Sequence, residues 1–213
     1  MRKVLLYLYP VKEYSDVIYK ATNYADFGLQ NPFEILNECI QKRYRKKGFE
    51  IIFVIYPDKE VYGVDVKTGD TVIYTDVTFT KAIGYDIEGH KKEVTDIKYP
   101  SEEDIFNKVG KVDKIVIGGY HHSDCVRRVA EYFNKRGINT LVDLDLTDLF
   151  FNRYYEADFD IENYDLKIQK DNLIATFEIL FGEDYKTKFN EIYGSPIFQF
   201  NDEVIEEKIK KVK

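Results

Sequence analysis

Four short and nearly continuous apolar runs stand out along the chain, at residues 4–9, 50–56, 114–118 and 140–146. Runs of this length, without alternating polar positions, are typical of strands that are buried on both faces of a parallel sheet. Apolar residues at helical spacing follow the first and third runs and predict helices over 32–47 and 123–136. The pattern therefore predicts two strand–helix–strand units with parallel strands and right-handed crossovers.

Two segments depart from this pattern. Between the second and third runs, residues 60–97 contain a predicted hairpin turn at 67–70 and short β-like runs at 61–66, 71–74 and 77–79. From about residue 151 the chain becomes aromatic and acidic, and helical spacing then returns. The predicted fold class is α/β, with three layers: a mainly parallel sheet flanked by helices, a β-rich insertion and a helical C-terminal extension. We expect residues 1–150 to form the core domain and 151–213 to pack on it.

The composition narrows the classes of partner and compartment. The chain has 31 basic and 38 acidic residues and a net charge of −7, which does not favour binding to a nucleic-acid backbone. No apolar stretch approaches the ~20 residues that span a bilayer, and no signal-peptide pattern follows Met1. Two cysteines do not make a disulfide framework. We therefore expect a cytoplasmic protein without nucleic-acid, membrane or cofactor partners, and self-association into a homo-oligomer stays open.

The segment 114–130 contains most of the candidate chemistry. A buried strand is followed by a glycine break, a polar cluster and a helix that opens at Cys125. Open α/β sheets keep their ligand sites beyond the carboxyl ends of the strands, so we predict a small-molecule site here. The residues predicted to bind the ligand are Tyr9, Tyr56, Gly118, Gly119, Tyr120, His122 and Asp145.

Cys125 is the candidate nucleophile. In the first turn of a helix, the unpaired backbone N–H groups and the helix dipole favour a thiolate, and His121 could act as its base. On this interpretation the pKa of the Cys125 thiol is depressed, and iodoacetamide should alkylate it before Cys39. The alternative is a buried structural cysteine, because Cys125 also adjoins the apolar stripe of its helix.

Asp143 and Asp145 alternate with apolar residues, so both should face the same side of one strand. Paired carboxylates suit Mg²⁺, which would allow phosphoesterase or nuclease chemistry. The alternative is an edge strand with a solvated face. A zinc site at the His121–Cys125 loop would lack a second ligand cluster, so no metal site is predicted there.

The stretch from Val112 to Leu146 resembles the C-terminal motif of the isochorismatase-like cysteine hydrolases, which include nicotinamidases and N-carbamoylsarcosine amidases. The resemblance comprises an apolar strand that ends in glycine, a short loop, a Cys-Val pair that opens a helix, a small residue and a terminal glycine. Here these elements are Ile115 to Gly118, Tyr120 to Asp124, Cys125-Val126, Ala130 and Gly137.

The resemblance implies a three-layer α/β fold and a catalytic set of cysteine, lysine and aspartate. Cys125 matches the nucleophile, and Lys98 matches the lysine at a shorter spacing than usual. The family places its aspartate at the end of the first strand, where this chain has Tyr9-Pro10, and Asp16 lies beyond that position. The motif therefore supports the fold more directly than the activity.

The leading functional prediction is a small-molecule site at the carboxyl ends of the strands, with cysteine-dependent amide hydrolysis as its catalytic form and Cys125, Lys98 and His121 as the catalytic residues. One alternative is a non-catalytic binding or regulatory protein on the same scaffold. Another is metal-dependent phosphoester chemistry at Asp143 and Asp145. The surroundings of Cys125 discriminate between them: the hydrolase needs Lys98 and a carboxylate nearby.

Overall fold

The computed structural model describes residues 1–21, 31–83, 98–154, 159–163, 174–175, 178–179 and 181–193. Five strands form one parallel sheet in the order β3-β2-β1-β4-β5. They are β1 (Lys3–Leu8), β2 (Glu50–Ile55), β3 (Thr71–Tyr74), β4 (Lys114–Gly119) and β5 (Asn139–Thr147). The four apolar runs thus form neighbouring parallel strands, which confirms the prediction.

The sheet is flanked by helices, as the predicted three-layer α/β class requires. The helices whose bounds lie within the described residues are α1 (Lys12–Ala21), α2 (Pro32–Cys39), α3 (Phe79–Ile83), α4 (Glu102–Val109), α5 (Arg127–Lys135), α6 (Phe150–Arg153) and α7 (Tyr185–Tyr193). A π-helical turn, Ile40–Tyr44, and a 3-10 turn, Arg45–Lys47, extend α2, and a π-helical turn, His122–Val126, precedes α5. The helices predicted over 32–47 and 123–136 are therefore confirmed.

Local sequence signals explain the bounds of α2 and its extension. The side chain of Asn31 accepts a hydrogen bond from the backbone N–H of Phe33 at 3.0 Å, and Pro32 occupies the first turn. Gly48 ends the extension with a φ of 73°, a left-handed conformation that glycine adopts without a Cβ penalty. These signals place α2 and its extension directly before β2.

The segment 60–97 differs in detail from the predicted β-rich insertion. Its described part, residues 60–83, contains a single strand, β3, which pairs in parallel with β2 at the edge of the main sheet. Asp70 donates its backbone N–H to the carbonyl of Lys67 at 2.9 Å, so 67–70 is a turn, but no hairpin follows from it. Residues 77–79 lead into α3, and 84–97 lie outside the described residues.

Contacts with α2 explain why 61–66 form no strand. Asp65 donates its backbone N–H to Asn37 Oδ1 at 2.7 Å, and its carbonyl accepts from Arg45 at 2.8 Å. Backbone groups that a strand would offer to a neighbour are thus bonded to side chains of α2 and the turn after it. The β-like composition of the segment yields to these tertiary contacts.

The C-terminal part contributes to the main core. Phe150 and Phe151 are buried, and Ile174 and Phe189 belong to the same buried apolar cluster as the strands. The described helices here, α6 and α7, agree with a helical extension, whereas 155–158, 164–173 and 194–213 lie outside the described residues. No helix within the described ranges is long and apolar enough to cross a membrane.

Candidate functional site

The strand order reverses between β1 and β4, the two central strands of the sheet. From β1 the sheet grows through β2 to β3 on one side, and it continues through β4 to β5 on the other. In open α/β sheets such a topological switch point leaves a crevice outside the carboxyl ends of the two central strands. Tyr9 follows β1 and the segment Tyr120–Cys125 follows β4, so both predicted site segments lie at this edge.

Gly118 and Gly119 have a packing explanation that requires no ligand. A Cβ on Gly118 would lie 2.7 Å from the carbonyl oxygen of Leu146 on β5. A Cβ on Gly119 would lie 2.0 Å from the carbonyl oxygen of Leu8 on β1, and Gly119 also has a φ of +97°. These glycines let β4 approach its neighbours, and they carry no side chain that could bind a ligand.

Cys125 lies in the π-helical turn between β4 and α5, and its side chain is buried. Burial, with a smaller contribution from the carboxylate of Asp124, raises the pKa of the thiol to about 12, and Arg128 and a backbone hydrogen bond from His121 only partly oppose this. Asp124 Oδ2 lies 3.8 Å from Sγ. The depressed pKa expected from the helix start is therefore wrong, because burial outweighs the helix terminus and the nearby cation.

We expect the native thiol to react slowly with iodoacetamide. Because the reactive species is the thiolate, the rate at Cys125 should rise about tenfold per pH unit between roughly pH 7 and 10, without a plateau. Cys39, whose pKa burial also raises to about 12, should behave alike. Peptide mass spectrometry after timed labelling measures both sites, and urea-unfolded protein provides the fully reactive control. Rapid labelling of Cys125 alone near pH 6.5 would contradict this expectation.

Three buried tyrosines, Tyr9, Tyr14 and Tyr56, lie close enough to the thiol to interact with it electrostatically. The Tyr9 ring stacks on Tyr56 with centroids 4.8 Å apart, and the hydroxyls of Tyr56 and Tyr14 are 3.2 Å apart. The pKa values of all three phenols are raised, mainly by burial and in part by the nearby Cys125. At neutral pH they are uncharged groups that can donate and accept hydrogen bonds. The predicted Tyr9 and Tyr56 thus lie together with Cys125.

The loop after β4 separates its two histidines. His122 is buried, and burial lowers its pKa to about 4, so its ring is neutral. His121 is half-exposed; its ring packs against Tyr14, and its Nδ1 lies 3.5 Å from Asp148 Oδ2. Tyr120 is buried, and its hydroxyl accepts from Ser15 at 3.2 Å. Only His121 of these three residues presents a substantial side-chain surface to solvent.

Lys98 makes no described polar contact with the thiol of Cys125. Its side chain is exposed, and its backbone N–H donates to the carbonyl of Lys81 at 2.9 Å. Over the described ranges, Lys98 makes neither a hydrogen bond nor an ion pair with Cys125. The carboxylate nearest in the chain, Asp124, does lie beside the thiol. Asp124 thus meets the carboxylate condition stated for a hydrolase.

Asp145 is held in buried ion pairs. Its carboxylate pairs with Arg43 at 2.9 Å and with Arg153 at 2.7 Å, while Asp143 accepts from Tyr44 at 2.5 Å and lies 3.3 Å from Arg43. We name these five residues the buried ion-pair cluster. All its charged side chains are buried, so the expected solvated face is wrong, and Asp145 is already occupied by two guanidinium groups.

The metal-dependent alternative is not supported by this arrangement. Both aspartates face the same side, as predicted, but cationic side chains occupy the positions that Mg²⁺ would need. Within the described part of the chain, no group of three or more potential ligands could hold a metal ion.

The predicted site left out three residues at the switch point. Tyr14 reaches the site from α1, Asp124 adjoins the thiol, and Asp148 follows β5 and contacts the loop after β4. The sequence did offer a signal for Asp148, because it is the first carboxylate beyond the carboxyl end of β5. Tyr14 had none, because its contact with Tyr56 depends on how α1 packs.

Comparisons with known proteins found similar solved structures only. No family model and no curated protein matches the chain. A protein assigned as a MAR1 ribonuclease from Leishmania major is 8% identical, with a TM-score of 0.44 over 91% of this chain and 92% of that one. The yeast nicotinamidase is 12% identical with a TM-score of 0.33, covering 81% and 96%. A nicotinamidase from Bacillus subtilis is 9% identical with a TM-score of 0.31, covering 74% and 96%. Likeness at this level carries no argument about function.

Proposed function

We propose that this chain binds a small organic molecule at the switch point between β1 and β4. The observation that carries the proposal is the convergence there of Tyr9, Tyr14, Tyr56 and Cys125, which come from three separate segments of the chain. Ligands of open α/β sheets bind at this position because the helices after the two strands leave to opposite sides.

The chemistry of these groups suits a ligand with an aromatic or planar part. The phenols and the thiol are uncharged at neutral pH, so they offer hydrogen bonds without a net charge. Charged side chains lie around the phenols and the thiol: Arg128 pairs with Glu102, and Asp124 is partly exposed. Pockets that combine aromatic walls with a few polar groups are typical of small-molecule sites.

A fragment screen by two-dimensional NMR tests this function. Small aromatic amides and carboxylic acids should shift the backbone signals of Tyr9, Tyr14 and His121–Cys125. Tyr56→Phe removes one hydroxyl and should weaken binding by about 2- to 10-fold, the value of one hydrogen bond. Tyr132→Phe on α5 is the matched control and should leave binding unchanged. Fragments that bind only elsewhere, or none that bind, would refute the proposal.

Cysteine-dependent hydrolysis of an amide C–N bond is a second candidate. The position of Cys125 in the first turn after β4, with Asp124 Oδ2 3.8 Å from Sγ, favours it. The reaction needs a thiolate, whereas burial keeps the thiol protonated in the free protein, so a bound amide must lower its pKa. The rate of ammonia release from nicotinamide or another primary amide should then fall by about 10³-fold or more in Cys125→Ala. Release that persists in this variant would exclude the mechanism.

A further inference from the structure

An imidazole and a carboxylate are paired at the same edge of the sheet. Asp148 directly follows β5, and its Oδ2 lies 3.5 Å from Nδ1 of His121. Its other oxygen accepts the backbone N–H of His122 at 2.7 Å. The backbone N–H of His122 therefore holds one oxygen of the carboxylate, and the imidazole of His121 lies beside the other oxygen.

The ionisation of Asp148 determines which nitrogen of His121 carries the proton. Burial opposes ionisation, but the hydrogen bonds from His121 and from the His122 backbone outweigh it and hold the pKa of Asp148 below its ordinary value. An ionised carboxylate can only accept hydrogen bonds, so it favours the tautomer of a neutral His121 ring that carries its proton on Nδ1. Nε2 then retains its lone pair.

Ring packing limits how the imidazole can turn. The His121 ring meets Tyr14 at a centroid distance of 4.4 Å and Tyr120 at 6.0 Å, both edge to face. Its side chain is 42% exposed, so the ring remains accessible. Within the part of the chain that the structure describes, the polar side-chain contact of His121 is the one with Asp148. Nε2 is thus available to another molecule.

We propose that His121 is the base of the switch-point site and that Asp148 is its positioning residue. Nε2 accepts a proton from a bound ligand: the ligand's O–H or N–H bond breaks, its electron pair stays on the ligand, and an Nε2–H bond forms. The carboxylate of Asp148 stabilises the resulting imidazolium. This inference rests on the proposed small-molecule site and narrows its ligand to molecules with an ionisable hydroxyl, amide or similar protic group.

Long-range ¹H–¹⁵N spectra of the imidazoles test the tautomer directly, at about pH 8, where imidazole rings are generally neutral. We expect His121 of the unmodified protein in the Nδ1–H form. Asp148→Asn keeps an oxygen for the His122 N–H but turns an amide N–H toward Nδ1, so the tautomer should invert to Nε2–H. Asp124→Asn, which removes a carboxylate from the same loop, should leave the tautomer unchanged. An Nε2–H ring in the unmodified protein would overturn the proposal without any variant.

Diethyl pyrocarbonate, which acylates unprotonated imidazole nitrogen, provides a second readout. His121 should be modified at Nε2, and Asp148→Asn should slow this by about tenfold or more, because the lone pair moves to a hydrogen-bonded nitrogen. An unchanged rate would overturn the proposal. If fragments bind at the site but the tautomer test fails, only the proposed acid–base role of His121 and Asp148 is refuted. If the tautomer is as expected but no fragment binds, the proposed small-molecule function is refuted, and the role of the pair with it.

Discussion

Replacing Gly119 by alanine is expected to destabilise the protein by at least ~4 kcal/mol, a loss that requires a specific structural conflict. The added Cβ would lie 2.0 Å from the Leu8 carbonyl oxygen, which is far inside contact distance. The Cβ is fixed to the Gly119 backbone and the oxygen belongs to the Leu8 backbone; both lie at the centre of the sheet, where β1 pairs with β4, so neither can move without breaking the ladder. Urea unfolding followed by circular dichroism measures the loss.

Gly137→Ala separates this clash from backbone strain. Gly137 also has a positive φ, of +78°, but no atom lies within 4 Å of its added Cβ. It should therefore lose only the ~1–2 kcal/mol that a left-handed alanine costs. A folded Gly137→Ala variant together with an insoluble Gly119→Ala variant would agree with the expectation. Equal losses in the free energy of unfolding would show that the positive φ, and not the clash, determines the cost.

Replacing Arg43 by alanine is expected to cost about 3–5 kcal/mol, because it leaves buried carboxylates without their shared cation. Arg43 Nη1 lies 2.9 Å from Asp145 and 3.3 Å from Asp143, and all three side chains are buried. Burial already raises the pKa of Asp143 to about 6 despite the attraction of Arg43. Without that cation the carboxyl should hold its proton to higher pH, which recovers part of the loss.

Arg127→Ala is the matched control for this prediction. Arg127 pairs with Glu131 at 3.0 Å across one turn of α5, but both side chains are partly exposed. Surface pairs contribute at most ~1 kcal/mol, so the loss should be small. In a double-mutant cycle the losses of Arg43→Ala and Asp143→Ala should not add, since each removes the same interaction. Additive losses would mean that the pair contributes nothing of its own.

The sheet could be predicted from the sequence because its central strands are buried on both faces. Burial on both faces removes polar alternation, so these strands are visible as continuous apolar runs. The parallel order follows from the intervening helices, and the sequence marked the start of α2 with Asn31 and the end of its extension with Gly48. β3 was different: its segment was identified as β-like, but a short edge strand contains no signal of whether it pairs in parallel with β2 or in a hairpin.

The position of the candidate site was also accessible, since the carboxyl ends of parallel strands share one edge. This reasoning brought Tyr9, Tyr56 and Cys125 together, as the structure does. It could not assign the electrostatics of the groups there. The helix start suggested a reactive thiol, whereas the depth of burial, a property of the packed chain, raises its pKa.

Contacts between distant residues determined the rest. Asp145 had the sequence context of a ligand-binding carboxylate, but Arg43, about a hundred positions away, and Arg153 occupy it. His121 and Asp148 meet only because β4 and β5 end side by side. Local patterns therefore determined the central strands, the helices beside them and the edge of the sheet at which the strands end. Only the tertiary structure decided which charges are paired and buried, because desolvation and ion pairing depend on neighbours that sequence spacing does not specify.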